Sequence, residues 1–191
     1  MTNAAVVLAS SSPRRRDLLT ALGVRFETRP ADVDETPRPG EAPEALASRL
    51  ATAKAEAVAR ERPHALVLAA DTVVVLDGRA LGKPRNEDEN RRFLRRLAGV
   101  PHHVVTAHHL VLAGASAHRS VVTDVRLRTL HDQEIERYVA RGAGLDKAGG
   151  YAIQDHGAAL VGDVHGCYSN VIGLSLPAVH DAAAQLGVRL V

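Results

Sequence analysis

The longest apolar stretch of the chain, residues 65–76, is interrupted by a single carboxylate at Asp71. It falls well short of the ~20 residues needed to span a bilayer, so no transmembrane helix is predicted. The turn dipeptide Asp77-Gly78 follows, and residues 79–81 then return as the second arm of a β-hairpin. The stretch therefore predicts a buried strand that must accommodate a charge.

Strand-like and helix-like segments alternate along the chain, which favours an α/β fold. A chain of 191 residues can bury one substantial core, so we expect one compact domain over residues 1–191, with two lobes around a cleft. Helices are predicted at residues 13–22, 44–60, 87–97, 132–140 and 177–186. Besides the hairpin, strands are predicted at residues 5–9, 104–106, 109–112 and 121–127, and near Ala159 and Asn170.

The basic residues bear on the class of ligand. A net charge of +2 and a pI near 9.0 would suit a nucleic-acid binder, but an aromatic content of 3% leaves few platforms for stacking bases. We therefore expect no nucleic-acid partner. Only three of the 24 basic residues are lysine, namely Lys54, Lys83 and Lys147. A compact ammonium binds phosphate or carboxylate as a point charge, so these lysines are candidate ligand-binding residues.

The cysteine content indicates the compartment. Cys167 is the single cysteine, which excludes an intramolecular disulfide and a thiol-rich zinc site and fits a reducing environment. The arginines at 14–16 follow the first apolar run, whereas a secretory signal places its positive charge first. We expect a cytoplasmic protein with no membrane partner.

The segment of residues 10–16, Ser-Ser-Ser-Pro-Arg-Arg-Arg, predicts a helix start with Ser12 as N-cap and Pro13 as first helical residue. Three arginines in the first turn face the positive end of the helix dipole, which disfavours each by roughly 0.3 to 1 kcal/mol. An anion would reverse that sign, so Ser10, Arg14 and the adjacent backbone N–H groups can form a phosphate site. An exposed charged helix is the alternative.

Lys54 and Asp71 are charged residues in apolar surroundings. Lys54 extends a row of apolar residues spaced by four along its predicted helix, so its charge can point inward, although the stem can also carry it out to solvent. An unpaired carboxylate at Asp71 would cost several kcal/mol, so it needs a cation, a metal or a proton. A two-residue turn pairs position 76 with 79 and 72 with 83, which brings Lys83 next to Asp71. Lys83 can then reach the same anion that Asp71 addresses through water or metal; a structural ion pair at the hairpin end is the alternative.

Two further segments carry weaker signals. Residues 146–157 combine Lys147, a glycine-rich backbone that can approach a ligand, and Gln154, whose amide can read a base edge. The acid pair Asp34-Glu35 can ligate a hard cation or belong to an ordinary loop. The histidine pairs at 102–103 and 108–109 do not favour zinc, because adjacent residues of a strand point to opposite faces.

Taken together, these segments resemble the Maf family of nucleotide pyrophosphatases, also called septum formation inhibitor proteins. The resemblance spans nearly the whole chain, through LASSSPRRRDLL, VDET, ATAKAEAVA, AADTVV, LGKP, HHVVTA, DKAGGYAIQ and SNVIGL. It implies cleavage of a nucleoside triphosphate between its α and β phosphates, a divalent cation (Mg²⁺ or Mn²⁺), and a mixed twisted sheet flanked by helices in the Ham1 or ITPase manner. It also implies nucleotide house-cleaning and a link to cell division. A homodimer is one alternative that the sequence leaves open.

The resemblance also implies roles for individual residues. Asp71 is similar to the catalytic acidic residue of the family, and Glu35, rather than Asp34, joins it as a metal contact. The residues similar to the phosphate ligands of the family are Ser10, Arg14, Arg15, Lys54, Lys83 and Lys147.

Substrate preference follows from three positions of the same resemblance. Members that hydrolyse dTTP and UTP carry Arg, Thr and Gln where this chain has Arg14, Thr72 and Gln154. Two departures exist: Gly150 and Ala152 exchange the usual order of small residues in KAGAYGIQ, and GLSL replaces GLPL at residues 173–176. The alternatives are a pyrophosphatase for damaged purine triphosphates such as ITP or XTP, and a non-enzymatic nucleotide-binding regulator of septum formation.

Overall fold

A seven-stranded mixed sheet forms the centre of the molecule in a computed structural model that describes residues 4–191. The strands are β1 (Val6–Leu8), β2 (Phe26–Thr28), β3 (Leu66–Leu76), β4 (Arg79–Leu81), β5 (Pro101–Leu112), β6 (Ala115–Leu127) and β7 (Val161–His165). The α-helices are α1 (Pro13–Ala21), α2 (Pro43–Glu61), α3 (Glu87–Leu97), α4 (Asp132–Val139), α5 (Tyr168–Ile172) and α6 (Leu176–Gln185). The predicted α/β fold with a mixed sheet flanked by helices is confirmed.

The strand order is β2-β1-β3-β5-β6-β7, with β4 paired to β3. β1 is parallel to β2 and β3, and the remaining pairs are antiparallel. One edge of β3 pairs with β1 as far as Leu68 and with β4 from Val74 onward. Asp71 and Thr72 therefore lie where this edge of β3 changes neighbour, and the ladder is interrupted beside them.

The two faces of β3 pack against different helices. Val67, Ala69, Val73 and Val75 face α2, and Asp71 shares this face because side chains alternate along a strand. On the opposite face, α1 and α6 cover the half of the sheet near β1, whereas α3 and α4 cover the half near β4. The apolar core is thus divided into two halves, which meet at the middle of β3.

The N-terminal half of the fold follows the sequence signals closely. Ser12 occupies the N-cap position of α1 and Pro13 is its first residue, as predicted, although the Ser12 side chain makes no capping hydrogen bond. The hairpin has the predicted register, with Val74 opposite Leu81 and Leu76 opposite Arg79. β2 was not predicted, because three residues of alternating exposure give almost no pattern.

Four of the predicted strands differ from the observed elements. The segments 104–106 and 109–112 belong to one strand, β5, which runs without a break between β3 and β6. Ala159 lies in a 3₁₀ helix (Asp155–Leu160), and the neighbouring strand starts only at Val161. Asn170 lies in α5, where its buried amide donates to Val104 O at 3.0 Å and so fixes the helix on the sheet. The apolar residues around Asn170 suit a buried short helix as well as a strand.

Within residues 4–191, no helix combines the length and the apolarity that crossing a bilayer would require.

Candidate active site

A cavity of about 590 Å³ opens beside the interrupted edge of β3. The side chains predicted for the site come from β1 and α1, the loop before α2, α2 itself, β3, and the loops after β4 and α4. All of them line this cavity: Ser10, Arg14, Arg15, Glu35, Lys54, Asp71, Thr72, Lys83, Lys147 and Gln154. The fold therefore brings together residues that are up to 144 positions apart between Ser10 and Gln154.

Lys54 joins two of the three carboxylates that line the cavity, Glu35 and Asp71. Its Nζ lies 2.7 Å from Asp71 Oδ1 and 2.5 Å from Glu35 Oε1. Lys54 is held at this point because α2 packs its apolar residues on β3 on both sides of it. The predicted partner of Asp71 is thus a cation, and that cation is Lys54.

The two carboxylates differ in their surroundings. Burial raises the pKa of Asp71 above its ordinary value, although the charges of Lys54 and Arg15 oppose this effect. Burial also acts to raise the pKa of Glu35, but the hydrogen bond from Lys54 and the charges of Lys54, Lys83 and Arg15 outweigh it and lower this pKa. Asp34 does not line the cavity and instead accepts a hydrogen bond from Thr36 N at 2.9 Å.

Glu35 and Asp71 fit a divalent cation that arrives with a phosphate. The residues from 4 to 191 contain no group of three or more His, Cys, Asp and Glu side chains that could hold a metal by themselves. Mg²⁺ is commonly bound by one or two carboxylates together with substrate phosphates and water. A pair of carboxylates in a cavity lined with cations matches this donor set.

Lys83 extends into the cavity from the loop after β4. The hairpin register is as predicted, but β4 ends at Leu81, so the pairing does not continue to Lys83. Within the described part of the chain, the Lys83 ammonium makes no hydrogen bond or ion pair. Gly149 N donates to Gly82 O at 3.1 Å, which ties this loop to the glycine-rich segment. Lys83 is therefore positioned by its backbone and retains its donors for a ligand.

The two arginines at the start of α1 have different environments. Arg15 is buried and donates from Nε to Gly173 O at 2.8 Å, from Nη1 to Ser10 Oγ at 3.1 Å and from Nη2 to Thr72 Oγ1 at 3.1 Å. Burial lowers its pKa, while the Asp71 charge opposes that shift. Arg14 is half-buried and its Nη1 lies 2.9 Å from Asp146 Oδ2.

Asp146 contacts a second cation as well. Its Oδ1 lies 2.6 Å from Lys147 Nζ, and this ammonium also donates to Ala143 O at 2.6 Å. Sequence reasoning missed Asp146 as a site residue, although it directly precedes Lys147. Its position between Arg14 and Lys147 identifies the place where a phosphate would have to compete with a carboxylate.

The glycine-rich segment is shaped by close contacts. Gly149 has φ of 70°, and a Cβ there would meet the side chain of Val74 at 3.0 Å. Asn90 donates to Gly150 O at 2.7 Å, and a Cβ at Gly150 would lie only 2.2 Å from the Asn90 amide nitrogen. These positions require glycine for space as well as for conformation. The segment is thus held against β3 and α3, with Gln154 at its end.

Gln154 and Thr72 present polar groups to the cavity in different ways. The amide of Gln154 has no hydrogen-bond partner among residues 4–191. The hydroxyl of Thr72 lies 3.0 Å from Thr106 Oγ1, which donates to Asn170 O at 3.0 Å. Sequence reasoning missed Thr106, and its signal was a polar residue within a buried strand.

The histidine pairs do not take part in the cavity. His102 is buried against Tyr151, with its Nε2 2.7 Å from the phenol oxygen, and His108 accepts from Ser175 N at 2.9 Å. Cys167 is half-buried, with its Sγ 3.3 Å from Ser169 Oγ.

The sequence model of the family described as Maf-like protein matches residues 5–186. A dTTP/UTP pyrophosphatase of Syntrophomonas wolfei subsp. wolfei is 45% identical over 185 residues, which cover 96% of this chain and 98% of that protein. Proteins of the same name from Anaeromyxobacter dehalogenans and Myxococcus xanthus are each 51% identical, covering 90% of this chain and 88% and 87% of their own length. The Staphylococcus aureus Ham1 structure is similar in part, with a TM-score of 0.45 and 17% identity over 65% of this chain and 72% of that one.

Proposed function

Because the chain belongs to the Maf-like protein family, we propose that it is a nucleoside triphosphate pyrophosphatase that converts dTTP and UTP to the monophosphate and pyrophosphate. The observation that carries this proposal is the convergence of five cationic and two acidic predicted residues on one cavity, namely Arg14, Arg15, Lys54, Lys83 and Lys147 with Glu35 and Asp71. Such a cavity suits a highly charged anion that binds with a divalent cation.

The phosphate chain would lie among Ser10, Arg14, Lys83 and Lys147. Lys83 supports this placement because its ammonium has no partner within residues 4–191 and points into the cavity. Arg14 and Lys147 exchange their contacts with Asp146 for contacts with the phosphates. Fixed cations of this kind stabilise the charge that develops on the phosphates as the bond to the leaving group breaks.

Asp71 is proposed as the residue that takes a proton from the attacking water. Its Oδ1 is bonded to Lys54, whereas its Oδ2 makes no hydrogen bond with any residue from 4 to 191 and can face a water molecule. The water oxygen bonds to the α-phosphorus, the bond from this phosphorus to the bridging oxygen breaks, and pyrophosphate leaves. A raised pKa favours Asp71 as a proton acceptor at neutral pH.

Mg²⁺ or Mn²⁺ is the proposed cofactor, with Glu35 and Asp71 as its protein ligands. When bound, the cation supplies positive charge to the phosphates. Lys54 keeps the two carboxylates side by side and balances their charge when the divalent cation is not bound. In this arrangement the main role of Lys54 is to hold the carboxylates, and binding of the phosphates is its secondary role.

The base would be read by Gln154 and Thr72, with Arg14 as a further hydrogen-bond donor. The names of the relatives support dTTP and UTP as substrates. The free amide of Gln154 offers one donor and one acceptor to a base edge. We also propose a cytoplasmic location, since the single cysteine fits a reducing compartment.

A panel of nucleotides tests the proposal. The purified protein is incubated with dTTP, UTP, CTP, ATP, GTP and ITP, each with Mg²⁺ and with Mn²⁺, and pyrophosphate release is measured. We expect dTTP and UTP to be hydrolysed well ahead of the others. A preference for ITP would support the purine pyrophosphatase instead, and binding without turnover would support the non-enzymatic regulator.

A further inference from the structure

The hydroxyl of Thr72 stands in a chain of hydrogen bonds whose direction can be worked out. Thr106 Oγ1 lies 3.0 Å from Asn170 O, a carbonyl that can only accept. A hydroxyl can donate only one hydrogen bond, and Thr106 donates it to this carbonyl. The contact of 3.0 Å between the two threonine hydroxyls is then a hydrogen bond only if Thr72 donates to Thr106. This is the arrangement in which both contacts are hydrogen bonds.

Arg15 completes the chain from the other side. Its Nη2 donates to Thr72 Oγ1 at 3.1 Å, and a guanidinium has no acceptor with which to receive a proton. The hydroxyl of Thr72 therefore donates its one hydrogen bond to Thr106 and uses one lone pair to accept from Arg15. The second lone pair of the hydroxyl remains, and Thr72 lines the cavity.

The guanidinium of Arg15 is fixed in place. It is buried, and its contacts with Gly173 O at 2.8 Å and Ser10 Oγ at 3.1 Å hold it between the loop before α6 and the serine segment. Turning this group toward a phosphate would break a hydrogen bond to the buried Gly173 carbonyl. Such a break is costly, because it leaves a buried acceptor unsatisfied.

We infer that Arg15 is a positioning residue that presents Thr72 to the cavity as a hydrogen-bond acceptor, and that this polarity selects a pyrimidine with an N–H at position 3. Uracil and thymine offer N3–H, whereas N3 of cytosine is itself an acceptor and would face the Thr72 lone pair. Gln154 alone cannot make this distinction, because its unrestrained amide can turn to offer either group. The inference rests on the proposed function and assigns the distinction between UTP and CTP to Thr72, as oriented by Arg15.

The test is the ratio of kcat/KM for UTP to that for CTP. Thr72→Val removes the acceptor and keeps the shape, and we expect it to lower this ratio about tenfold, the effect of one lost buried hydrogen bond. Arg15→Lys keeps the positive charge but loses the planar fork that reaches both Thr72 and Gly173. We expect it to lower the ratio by a similar factor. In the double variant the ratio should fall no further than in Thr72→Val, since Arg15 acts through Thr72.

Lys83→Ala is the matched control, because the phosphates are the same in both nucleotides; it should slow UTP and CTP by the same factor. If Arg15→Lys also slows both equally, Arg15 binds phosphate and the inference is overturned. If Arg15→Lys does not fold, as judged by circular dichroism, Thr106→Val tests the same chain of hydrogen bonds, because the Thr72 hydroxyl then loses its acceptor and can donate into the cavity. An unchanged ratio in Thr106→Val overturns the inference. Absence of all nucleotide turnover in the wild type would overturn the proposed function itself, whereas turnover with an unchanged ratio would contradict only this inference.

Discussion

Asp71 is the side chain on which the chemistry of the cavity depends most. Its carboxylate is buried in the middle of β3 and bonded to Lys54 at 2.7 Å. We expect Asp71→Asn to lower kcat by roughly 10²- to 10⁴-fold, the usual contribution of a positioned proton acceptor. Pyrophosphate release measures the loss, and thermal unfolding should show a folded protein. Asp163→Asn, which breaks an exposed pair with Arg126, is a control that should retain activity. Near-normal turnover in Asp71→Asn would remove Asp71 from the mechanism.

Lys83 allows a separate test of the phosphate site. Its ammonium has no partner within residues 4–191, so its removal breaks no hydrogen bond or ion pair of the described residues. We expect Lys83→Ala to lower kcat more than it weakens nucleotide binding, because the charge on the phosphates grows in the transition state. Steady-state kinetics together with calorimetric binding of a non-hydrolysable nucleotide distinguish the two effects. A rise in KM with unchanged kcat would instead assign Lys83 to ground-state binding.

Gln154 is expected to set the preference for the base. Gln154→Glu replaces the amide donor with a charged acceptor, so we predict a smaller ratio of kcat/KM for dTTP over ATP, by about 5- to 100-fold. The change should leave the melting temperature near its original value, since the amide bonds to no other residue from 4 to 191. A variant with the original selectivity would show that other groups read the base.

At the scale of single residues, the sequence shows that a buried charge requires a partner but does not show which residue that partner is. That Asp71 requires a cation follows from its apolar neighbours alone. The identity of that cation depends on where α2 crosses β3, which no local pattern contains, and Lys54 rather than Lys83 fills the role. Likewise, the run of three arginines predicted an anion site, but only the packing of the loop at Gly173 shows that Arg15 is bonded to the protein on three sides.

At the scale of elements, β5 carries a buried histidine whose ionisation opposes folding. Burial lowers the pKa of His108 from its ordinary 6.5 to about 4, and the ring accepts a hydrogen bond from Ser175 N. Between these two pKa values the unfolded chain binds more protons than the folded one, so the free energy of unfolding rises with pH over this window. His108 therefore contributes stability that is complete above its unfolded pKa and is lost as the pH falls toward 4.

We predict that His108→Gln reduces this pH dependence. The full effect of His108 corresponds to about 3 kcal/mol between the two ends of the window. Urea unfolding of both proteins near the two ends of the window measures it. Burial also lowers the pKa of His102 and of His109, so a smaller dependence of the same sign should remain in the variant. Parallel stability curves for the two proteins would contradict the assignment to His108.

The predictability of the elements follows their length and exposure. α2 and the β3–β4 hairpin were predicted because a long amphipathic repeat and an Asp-Gly turn are strong local signals. α5 was taken for a strand because five half-apolar residues have no distinguishable period. Its place on the sheet is fixed by Asn170, whose amide donates to Val104 O and Thr123 Oγ1.

At the scale of the whole molecule, a polar layer divides the apolar core. On one face of the sheet, Lys54 and Asp71 lie between two apolar clusters formed with α2. On the other face, Arg15, Thr72 and Thr106 lie between the cluster under α1 and α6 and the cluster under α3 and α4. The site thus lies at the junction of the two halves, where β3 changes its neighbour. Sequence reasoning predicted two lobes around a cleft, but not this division of the sheet.

The identity of the reaction is tested most directly by the fate of the water oxygen. Hydrolysis of dTTP is carried out with Mg²⁺ in water enriched in ¹⁸O, the products are separated, and the ¹⁸O content of each is measured by mass spectrometry. Attack on the α-phosphorus predicts equal amounts of dTMP and pyrophosphate, with the label in dTMP alone, and a far slower formation of labelled dTMP by Asp71→Asn. Label in pyrophosphate, or release of inorganic phosphate from the γ position, would contradict the proposed activity.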